Sequence, residues 1–207
     1  MACRPAVQFN PFYPAGLASL SFSSPVNGPP DKSLFVIRTR EMTADVDHFV
    51  TLVREYVATV DRAASSLAFD FARRCAVILP QIYVAGLQLP DIEVNDSSVS
   101  ERSVASPMRE ISRLFGRYDC YHEFYDPYEE SEPVVGSLGD DLGDIYVDLA
   151  DPLRTYDAGK VADAIWEWKF SLQGHAGDHL VDALRAIHRL VHDRMPPDYV
   201  AETTGAG

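Results

Sequence analysis

Apolar residues recur at every third or fourth position along several stretches of the chain, with polar segments between them. That spacing places them on one side of an α-helix, which completes a turn in about 3.6 residues. No stretch shows the sustained alternation of apolar and polar positions that is typical of a half-buried strand. The pattern therefore predicts an all-α fold, a single helical bundle of about five helices. They span Thr43 to Ala63, Ser66 to Leu89, Pro107 to Arg117, Leu138 to Tyr156 and Lys160 to Met195.

Prolines and glycines interrupt some of these predicted helices. Pro80 removes an interior hydrogen bond, so we expect either a kink or two helices that meet there. Pro152 requires a bend or a break in the fourth helix, and Gly174 and Gly177 a break or a close contact in the last. Residues 118–128, with the sequence YDCYHEFYDPY, fit either an extension of the third helix or an extended segment.

The first 41 residues differ from the rest of the chain in composition. They contain six prolines and six charged residues, and no helical or strand period persists, although residues 33–38 could form a short strand. We expect a non-globular leader at 1–41, disordered or extended, followed by the helical bundle domain at 42–197 and a flexible tail at 198–207. Met42 opens the charged, helical part, so we hypothesise that it is the natural start and that the leader lies upstream of it.

The charge of the chain excludes some classes of function. The 207 residues carry a formal net charge of −13, and Asp119 to Asp157 includes twelve acidic residues and one basic residue, Arg154. Such a surface repels phosphate backbones, which argues against direct nucleic-acid binding. No apolar run reaches the roughly 18 residues of a membrane span. Prolines also break the N-terminal apolar residues, which disfavours a secretory signal, so we expect a cytoplasmic protein without membrane association.

An acidic motif opens the fourth predicted helix. Asp140, Asp141 and Asp144 form the DDxxD pattern with which all-α isoprenoid enzymes hold magnesium and diphosphate. On a helical wheel, Asp140, Asp144 and Asp151 lie opposite the apolar stripe, which predicts a solvated face. Only Asp141 and Asp148 flank the stripe. Because the chain is also short for such an enzyme and has no second motif of this kind, the diphosphate interpretation is set aside.

Histidines in the last predicted helix are candidate metal ligands. Trp168, His175, His179 and Asp182 follow one line beside the apolar arc, and two histidines four positions apart can bind one ion. The competing interpretation is that these histidines only pack at the edge of the core. No cofactor is expected from any other signature, and the divalent metal stays an open alternative. The candidate metal or polar site comprises His175, His179, Asp182, Asp141 and Glu123.

Five short segments, in order along the chain, resemble a known family. They are Asp126-Pro127, EPVVGSL at 132–138, DLGDIY at 141–146, WEWKF at 166–170 and HAGDH at 175–179. Together they are similar to the bacterial domain of unknown function family 5063, over about residues 45–193. The resemblance implies a helical, cytoplasmic bacterial protein. It supplies no catalytic residues, because the family is uncharacterised.

Three functional hypotheses follow, and the sequence favours a role that is not enzymatic. The first is a protein-interaction or adaptor module that binds a basic protein partner through an acidic, tyrosine-rich surface. An ordinary solvated acidic face is its competitor. The second is a metal-dependent hydrolase of phosphorylated small molecules, with a His/Asp site between the last two helices. The third is a structural subunit of a homodimer joined at Trp166 and Trp168. The proposed interaction surface comprises Tyr121, Tyr125, Tyr128, Glu129, Glu130, Asp140, Asp144 and Asp148.

Overall fold

The computed structural model describes residues 32–92 and 103–201, with side chains from residue 45 onward. This part of the chain forms six α-helices and one two-stranded sheet, which confirms the predicted all-α bundle. None of its helices is long and apolar enough to cross a membrane. The predicted leader up to residue 31 and the end of the predicted tail from residue 202 lie outside the described residues. The elements are α1 (Lys32–Asp61), α2 (Ala68–Leu87), α3 (Met108–Phe115), β1 (Cys120–Glu123), β2 (Val134–Ser137), α4 (Leu138–Asp157), α5 (Val161–Leu172) and α6 (His175–Arg189).

Helix α4 lies at the centre of the bundle. It packs against α1, α3, α5 and α6, and its apolar residues Leu142, Ile145 and Leu149 are almost completely buried. Of its 20 residues, only Arg154 and Asp157 are exposed. A helix that is enclosed on several sides has no single buried face. Its polar residues are therefore buried together with its apolar ones.

Helices α1 and α2 pack against each other and close one side of this core. The stripe predicted on α1 is buried, with Phe49, Val53 and Tyr56 fully enclosed. Burial of each such side chain contributes about 1.5–3 kcal/mol. Tyr56 also donates its hydroxyl hydrogen to the carbonyl oxygen of Leu142 in α4, at 2.8 Å. The stripe that α2 contributes consists of Phe71, Cys75, Leu79 and Ile82.

Helix α1 begins earlier than predicted, and α2 is one continuous helix. Helix α1 begins at Lys32 rather than at Thr43, so residues 32–41 of the predicted leader are helical and the strand expected at 33–38 is wrong. Helix α2 continues through Pro80, so two helices do not meet there. Burial of the neighbouring Leu79 keeps α2 packed against the core although Pro80 removes a hydrogen bond.

The last predicted helix is in fact two helices, which raises the number of α-helices from about five to six. Helix α5 ends at Leu172, and α6 begins at His175. The corner is tight, because the carbonyl oxygen of Leu172 lies where a Cβ on Gly177 would stand. A side chain at Gly177 would not fit, so the two glycines mark a break rather than a close contact within one helix.

Residues 120–123 do not extend α3 but form strand β1. It pairs with β2 in antiparallel register, with Tyr121 opposite Gly136 and Glu123 opposite Val134. Of the two alternatives predicted for residues 118–128, the extended segment is the one that residues 120–123 adopt. Each strand has only four residues, which is too short for a sustained alternation of apolar and polar positions. The hairpin stands beside α4, whose first residue follows β2 directly.

Two glycines of α4 allow α3 to approach closely. Gly139 and Gly143 are one turn apart and face Met108 and Ser112. A Cβ at Gly139 would overlap the hydroxyl of Ser112 and lie 2.8 Å from the carbonyl oxygen of Met108. A Cβ at Gly143 would lie 3.1 Å from Met108 Cα. Both distances are shorter than van der Waals contact, so α3 could not keep its position against larger residues.

We expect Gly139→Ala to destabilise the protein by about 1–3 kcal/mol, the usual cost of an extra methyl group in a packed interior. The loss occurs although alanine favours a helix by up to about 1 kcal/mol over glycine. Urea denaturation measures it. Arg185→Ala, at an exposed position of α6, is the control. Equal stability of Gly139→Ala and the parent protein would contradict the close approach.

Candidate metal centre

Histidines of α6 face carboxylates of α4 where the two helices pack together. His175 and His179 are one turn apart at the start of α6. On α4, Asp141, Asp144 and Asp148 follow one another at intervals of three and four residues. Both spacings keep side chains on one side of a helix. The two rows therefore meet over two helical turns.

Each imidazole has one nitrogen bonded to a buried carboxylate. His175 Nδ1 lies 2.8 Å from Asp148 Oδ2, and His179 Nδ1 lies 2.8 Å from Asp141 Oδ1. The two aspartates are only 8% and 3% exposed, respectively. Because an ionised carboxylate only accepts hydrogen bonds, Nδ1 of each ring is the donor. These bonds fix the direction in which the opposite nitrogen points.

The opposite nitrogens of the two rings converge on one oxygen. His175 Nε2 and His179 Nε2 each lie 3.6 Å from Asp144 Oδ2. The ring centroids are 4.6 Å apart, and ligand atoms of the three residues all lie within 4.8 Å of one another. All three side chains are partly exposed. Two imidazole nitrogens and a carboxylate oxygen thus surround a point that solvent can reach.

Hydroxyl groups from two other elements complete the bonding of the buried carboxylates. Tyr121 of β1 donates to Asp141 Oδ2 at 2.6 Å. Ser171 of α5 donates to Asp148 Oδ2 at 2.5 Å. Each buried carboxylate therefore accepts from one imidazole and one hydroxyl, which compensates for the cost of its burial.

The electrostatics of the centre favour a positive charge. Burial alone lowers the pKa of His179, but the hydrogen bond to Asp141 and the charges of Asp141, Asp144 and Asp140 outweigh it and raise that pKa to about 9. Burial raises the pKa of Asp141, and hydrogen bonds from His179 and Tyr121 oppose the rise. At neutral pH, His179 therefore holds a proton among carboxylates, in a place that suits a cation.

More acidic groups surround this centre. Burial raises the pKa of Asp182 to about 6, and the charges of Glu123, Asp141 and Asp178 add to that rise. Burial likewise raises the pKa values of Asp140 and Asp178. A raised pKa of an acid means that its ionised form is disfavoured there. These acids are therefore less readily ionised than exposed ones, chiefly because they are buried.

Strand β1 directs two side chains towards the centre. Tyr121 and Glu123 alternate with outward residues on β1, and both lie over Gly136 of β2. A Cβ at Gly136 would stand 2.8 Å from Tyr121 Cζ and 2.9 Å from Glu123 Oε1, so the absence of a side chain makes room for both. The other oxygen, Glu123 Oε2, is buried and has no hydrogen-bond partner among the described residues.

The structure brings together three of the five residues predicted as a metal or polar site. They are His175, His179 and Asp141, although His175 bonds Asp148 rather than Asp141. Asp182 lies on the next turn of α6, and Glu123 lies on β1. Within the described part of the chain, neither of these two acids forms a hydrogen bond with an imidazole.

Placements on the helical wheel were wrong for three residues. Asp144, expected on a solvated face, supplies the oxygen shared by the two rings. Asp151, expected on the same face, is buried and accepts hydrogen bonds from Ser103. Trp168, expected on the histidine line and in a dimer contact, is fully buried in α5 and donates to the carbonyl oxygen of Leu149 at 3.0 Å.

The predicted tyrosine-rich surface is divided by the fold. Tyr128 and Tyr125 are 97% and 79% exposed in the connection between β1 and β2, and Glu129 and Glu130 beside them are also exposed. Tyr121 is half-buried. The aspartates of α4 belong to the interior or to the metal centre: Asp148 is buried, whereas Asp140 and Asp144 are half-buried.

Two structural partners were not anticipated from the sequence. Asp119 accepts from the Gly139 N–H at 2.8 Å and from the Ser137 hydroxyl at 2.9 Å, so it caps the start of α4. Ser137 itself accepts from the Asp140 N–H at 3.3 Å, as an N-cap residue does. Ser171 is the other unexpected partner. Its contact with α4 joins distant parts of the chain, and no local pattern indicates it.

Comparisons with known proteins support the fold. A family model described as Domain of unknown function (DUF5063) matches residues 40–193, which confirms the resemblance seen in the sequence. Protein BF1032 from Bacteroides fragilis has a similar crystal structure, with a TM-score of 0.62 and 23% sequence identity. The similarity covers 75% of this chain and 96% of that one, and at this identity it concerns the fold alone. No curated protein matches the chain.

We expect Tyr121→Phe to destabilise the protein by about 1–3 kcal/mol, because Asp141 Oδ2 then stays buried without its hydroxyl donor. Urea denaturation measures the change. Tyr125→Phe removes the same hydroxyl from an exposed ring and should leave stability within about 0.5 kcal/mol of the parent. If the two variants unfold at the same urea concentration, the bond between Tyr121 and Asp141 contributes nothing.

Proposed function

We propose that this chain, which belongs to the family described as Domain of unknown function (DUF5063), binds a divalent transition-metal ion through Asp144, His175 and His179. The orientation of the imidazoles carries the proposal. A buried carboxylate holds Nδ1 of each ring, while Nε2 of each ring faces Asp144 Oδ2. Metal-binding histidines almost always donate their second ring N–H to a carboxylate, a carbonyl or water.

The distances suit such an ion. Two ligands on a tetrahedral ion, each about 2.0 Å from it, lie roughly 3.3 Å apart. The separation of 3.6 Å between Asp144 Oδ2 and each Nε2 is close to this value. Small rotations of the partly exposed Asp144 side chain would close the difference. Imidazole ligands favour zinc and other first-row ions over magnesium and calcium, which prefer sites built from oxygen.

The reaction class that we propose is metal-dependent hydrolysis. Three protein ligands leave a coordination position open, as in catalytic zinc sites, and the side chains are reachable from solvent. Such an ion, when bound, supplies a hydroxide at neutral pH by lowering the pKa of its water. Phosphorylated substrates, expected from the sequence, are not part of this proposal. The acidic groups Asp140, Asp178 and Asp182 would repel them.

We expect chelator-treated protein to bind one Zn²⁺ ion per chain, and Mg²⁺ not to compete with it. Isothermal titration calorimetry measures the affinity, and elemental analysis measures the stoichiometry. His179→Ala and Asp144→Asn should each weaken zinc binding by at least about tenfold, because each removes one of three ligands.

A second histidine pair provides the control for that experiment. His188 and His192 are also four positions apart on one helix side, with ring centroids 4.7 Å apart, and both are exposed. His188→Ala should leave zinc binding unchanged. A loss of binding in this variant, or unaltered binding in His179→Ala, would contradict the proposed site.

Protein interaction is the second candidate function, because the connection between β1 and β2 is unusually exposed. Besides Tyr125 and Tyr128, Phe124 is 45% exposed there, and Glu129 and Glu130 add negative charge. Exposed aromatic rings among acids suit a basic protein partner. This surface is smaller than the one expected from the sequence, because Tyr121 and Asp148 point into the interior.

Pulldown from a lysate of cells that contain the protein tests this role. The wild-type chain and a Tyr125→Ala, Tyr128→Ala double variant serve as baits at low and at high salt. A partner of the proposed kind is a basic protein that the wild type retains at low salt only and that the double variant does not retain. Equal retention by both baits would show that this surface does not bind it.

A further inference from the structure

We infer that the metal centre takes a ligand or substrate with an ammonium group, which binds between Glu123 of β1 and Asp182 of α6. The inference rests on the proposed metal site and names the chemistry of what binds beside the ion. Two observations on the described residues support it: an unpaired oxygen and an excess of carboxylates.

The unpaired oxygen belongs to Glu123. Glu123 Oε2 is buried and has no hydrogen-bond partner, whereas the carboxylates of Asp141 and Asp148 each accept from two groups. Buried polar atoms in native proteins are almost always hydrogen-bonded, so an unpaired one indicates a missing partner. A carboxylate oxygen needs a donor, and an ammonium group offers three N–H donors.

The position of Glu123 is fixed by the hairpin. Its side chain lies over Gly136, next to the ring of Tyr121, and the Tyr121 hydroxyl is already bonded to Asp141. The Tyr121 hydroxyl also lies within reach of Glu123, but a hydroxyl has a single hydrogen, and Tyr121 donates it to Asp141 Oδ2. The strand also holds Glu123 beside the ligand-bearing helices, because its neighbour on the same face is in direct contact with α4.

The excess of carboxylates indicates the sign of the ligand's charge. Three aspartates of α4 bond or approach the two imidazole rings. Four other acidic residues lie around them. A divalent ion balances only two of these carboxylates, and a histidine that binds the ion through Nε2 is neutral, so a positively charged ligand is attracted and an anion repelled. The carboxylates are Asp140, Asp141, Asp144, Asp148, Asp178, Asp182 and Glu123.

Glu123 and Asp182 stand on either side of the same bonded residues. Glu123 lies beside Tyr121, which bonds Asp141. Asp141 in turn bonds His179, one turn before Asp182. In keeping with this placement, the charge of Glu123 adds to the effect of burial in raising the pKa of Asp182. Two neighbouring carboxylates that repel each other are both relieved by a cation between them. Asp182 is one turn beyond His179 on α6, so a cation held there would stand next to the metal ligands and reach the centre from solvent.

Titration of the zinc-loaded protein tests the inference. The probes are 1,4-diaminobutane, Nα-acetyl-lysine amide and inorganic phosphate, and calorimetry measures their binding. We expect at least one amine to bind and phosphate not to bind. Binding of the diamine alone identifies a free amine as the source of the cation, and binding of the lysine amide alone identifies a protein or peptide side chain.

Variants assign the binding to the two acids. Glu123→Gln and Asp182→Asn should each weaken amine binding by about tenfold to a hundredfold, because each removes a charged hydrogen-bond acceptor. Their affinity for zinc should change little, since neither residue is a proposed ligand. Glu55→Gln, an exposed acid on α1, is the matched control and should bind amine like the parent protein.

The outcomes separate this inference from the proposed function. If zinc binds but no amine does, or if phosphate binds as tightly as the amines, the inference is wrong and the metal site stands. If amine binding survives both substitutions, the position between Glu123 and Asp182 is wrong. If zinc itself does not bind, the proposed function fails first, and the inference fails with it.

Discussion

The burial of carboxylates around one central helix is the constraint on which the rest of the structure depends. A buried carboxylate is costly unless donors surround it. Around α4, each of four buried aspartates accepts hydrogen bonds from residues distant in the sequence. Asp119 caps the start of α4, and the others accept as follows: Asp141 from β1 and α6, Asp148 from α5 and α6, and Asp151 from residues 103–104.

These hydrogen bonds compensate for the burial of the charges, and they also determine how the helices and strands are arranged. An apolar core alone would tolerate many arrangements of helices with similar volumes. The buried carboxylate of Asp141 needs hydrogen bonds from the Tyr121 hydroxyl and the His179 imidazole. Only an arrangement of the elements in which both groups reach it satisfies this need. Buried ion pairs often add little net stability compared with apolar residues of the same size. Their presence here is better explained by the orientation that they impose on the imidazoles, which leaves Nε2 of each ring facing Asp144.

The sequence predicted the helices well and the polar contacts less well, for physical reasons. Periodicity identified the apolar stripes of α1 and α2, because each helix buries one face. It failed on α4, where neighbours cover several sides and Asp144 and Asp151 are not on a solvated face. Periodicity also failed for Trp168. The helical wheel was continued across Gly174, where the structure has a break between two helices, so Trp168 does not lie on the line of the histidines. His175 and His179 were found because they are four positions apart within one helix. The pairing of β1 with β2 depends on distant residues, and local patterns do not reveal it.

The hairpin connects the two functions proposed for this chain. Tyr121 on β1 bonds the carboxylate of Asp141, whose other oxygen holds His179. Four residues further on, Tyr125 is exposed in the connection where a protein partner would bind. Strand β1 is short, and its inward and outward residues alternate. Its inward residue Tyr121 therefore belongs to the bonding of the metal centre, whereas the exposed rings of the connection lie outside it. The two proposed functions thus use different side chains of one hairpin, which is why substitutions of Tyr125 and Tyr128 can test one of them without removing a bond of the other.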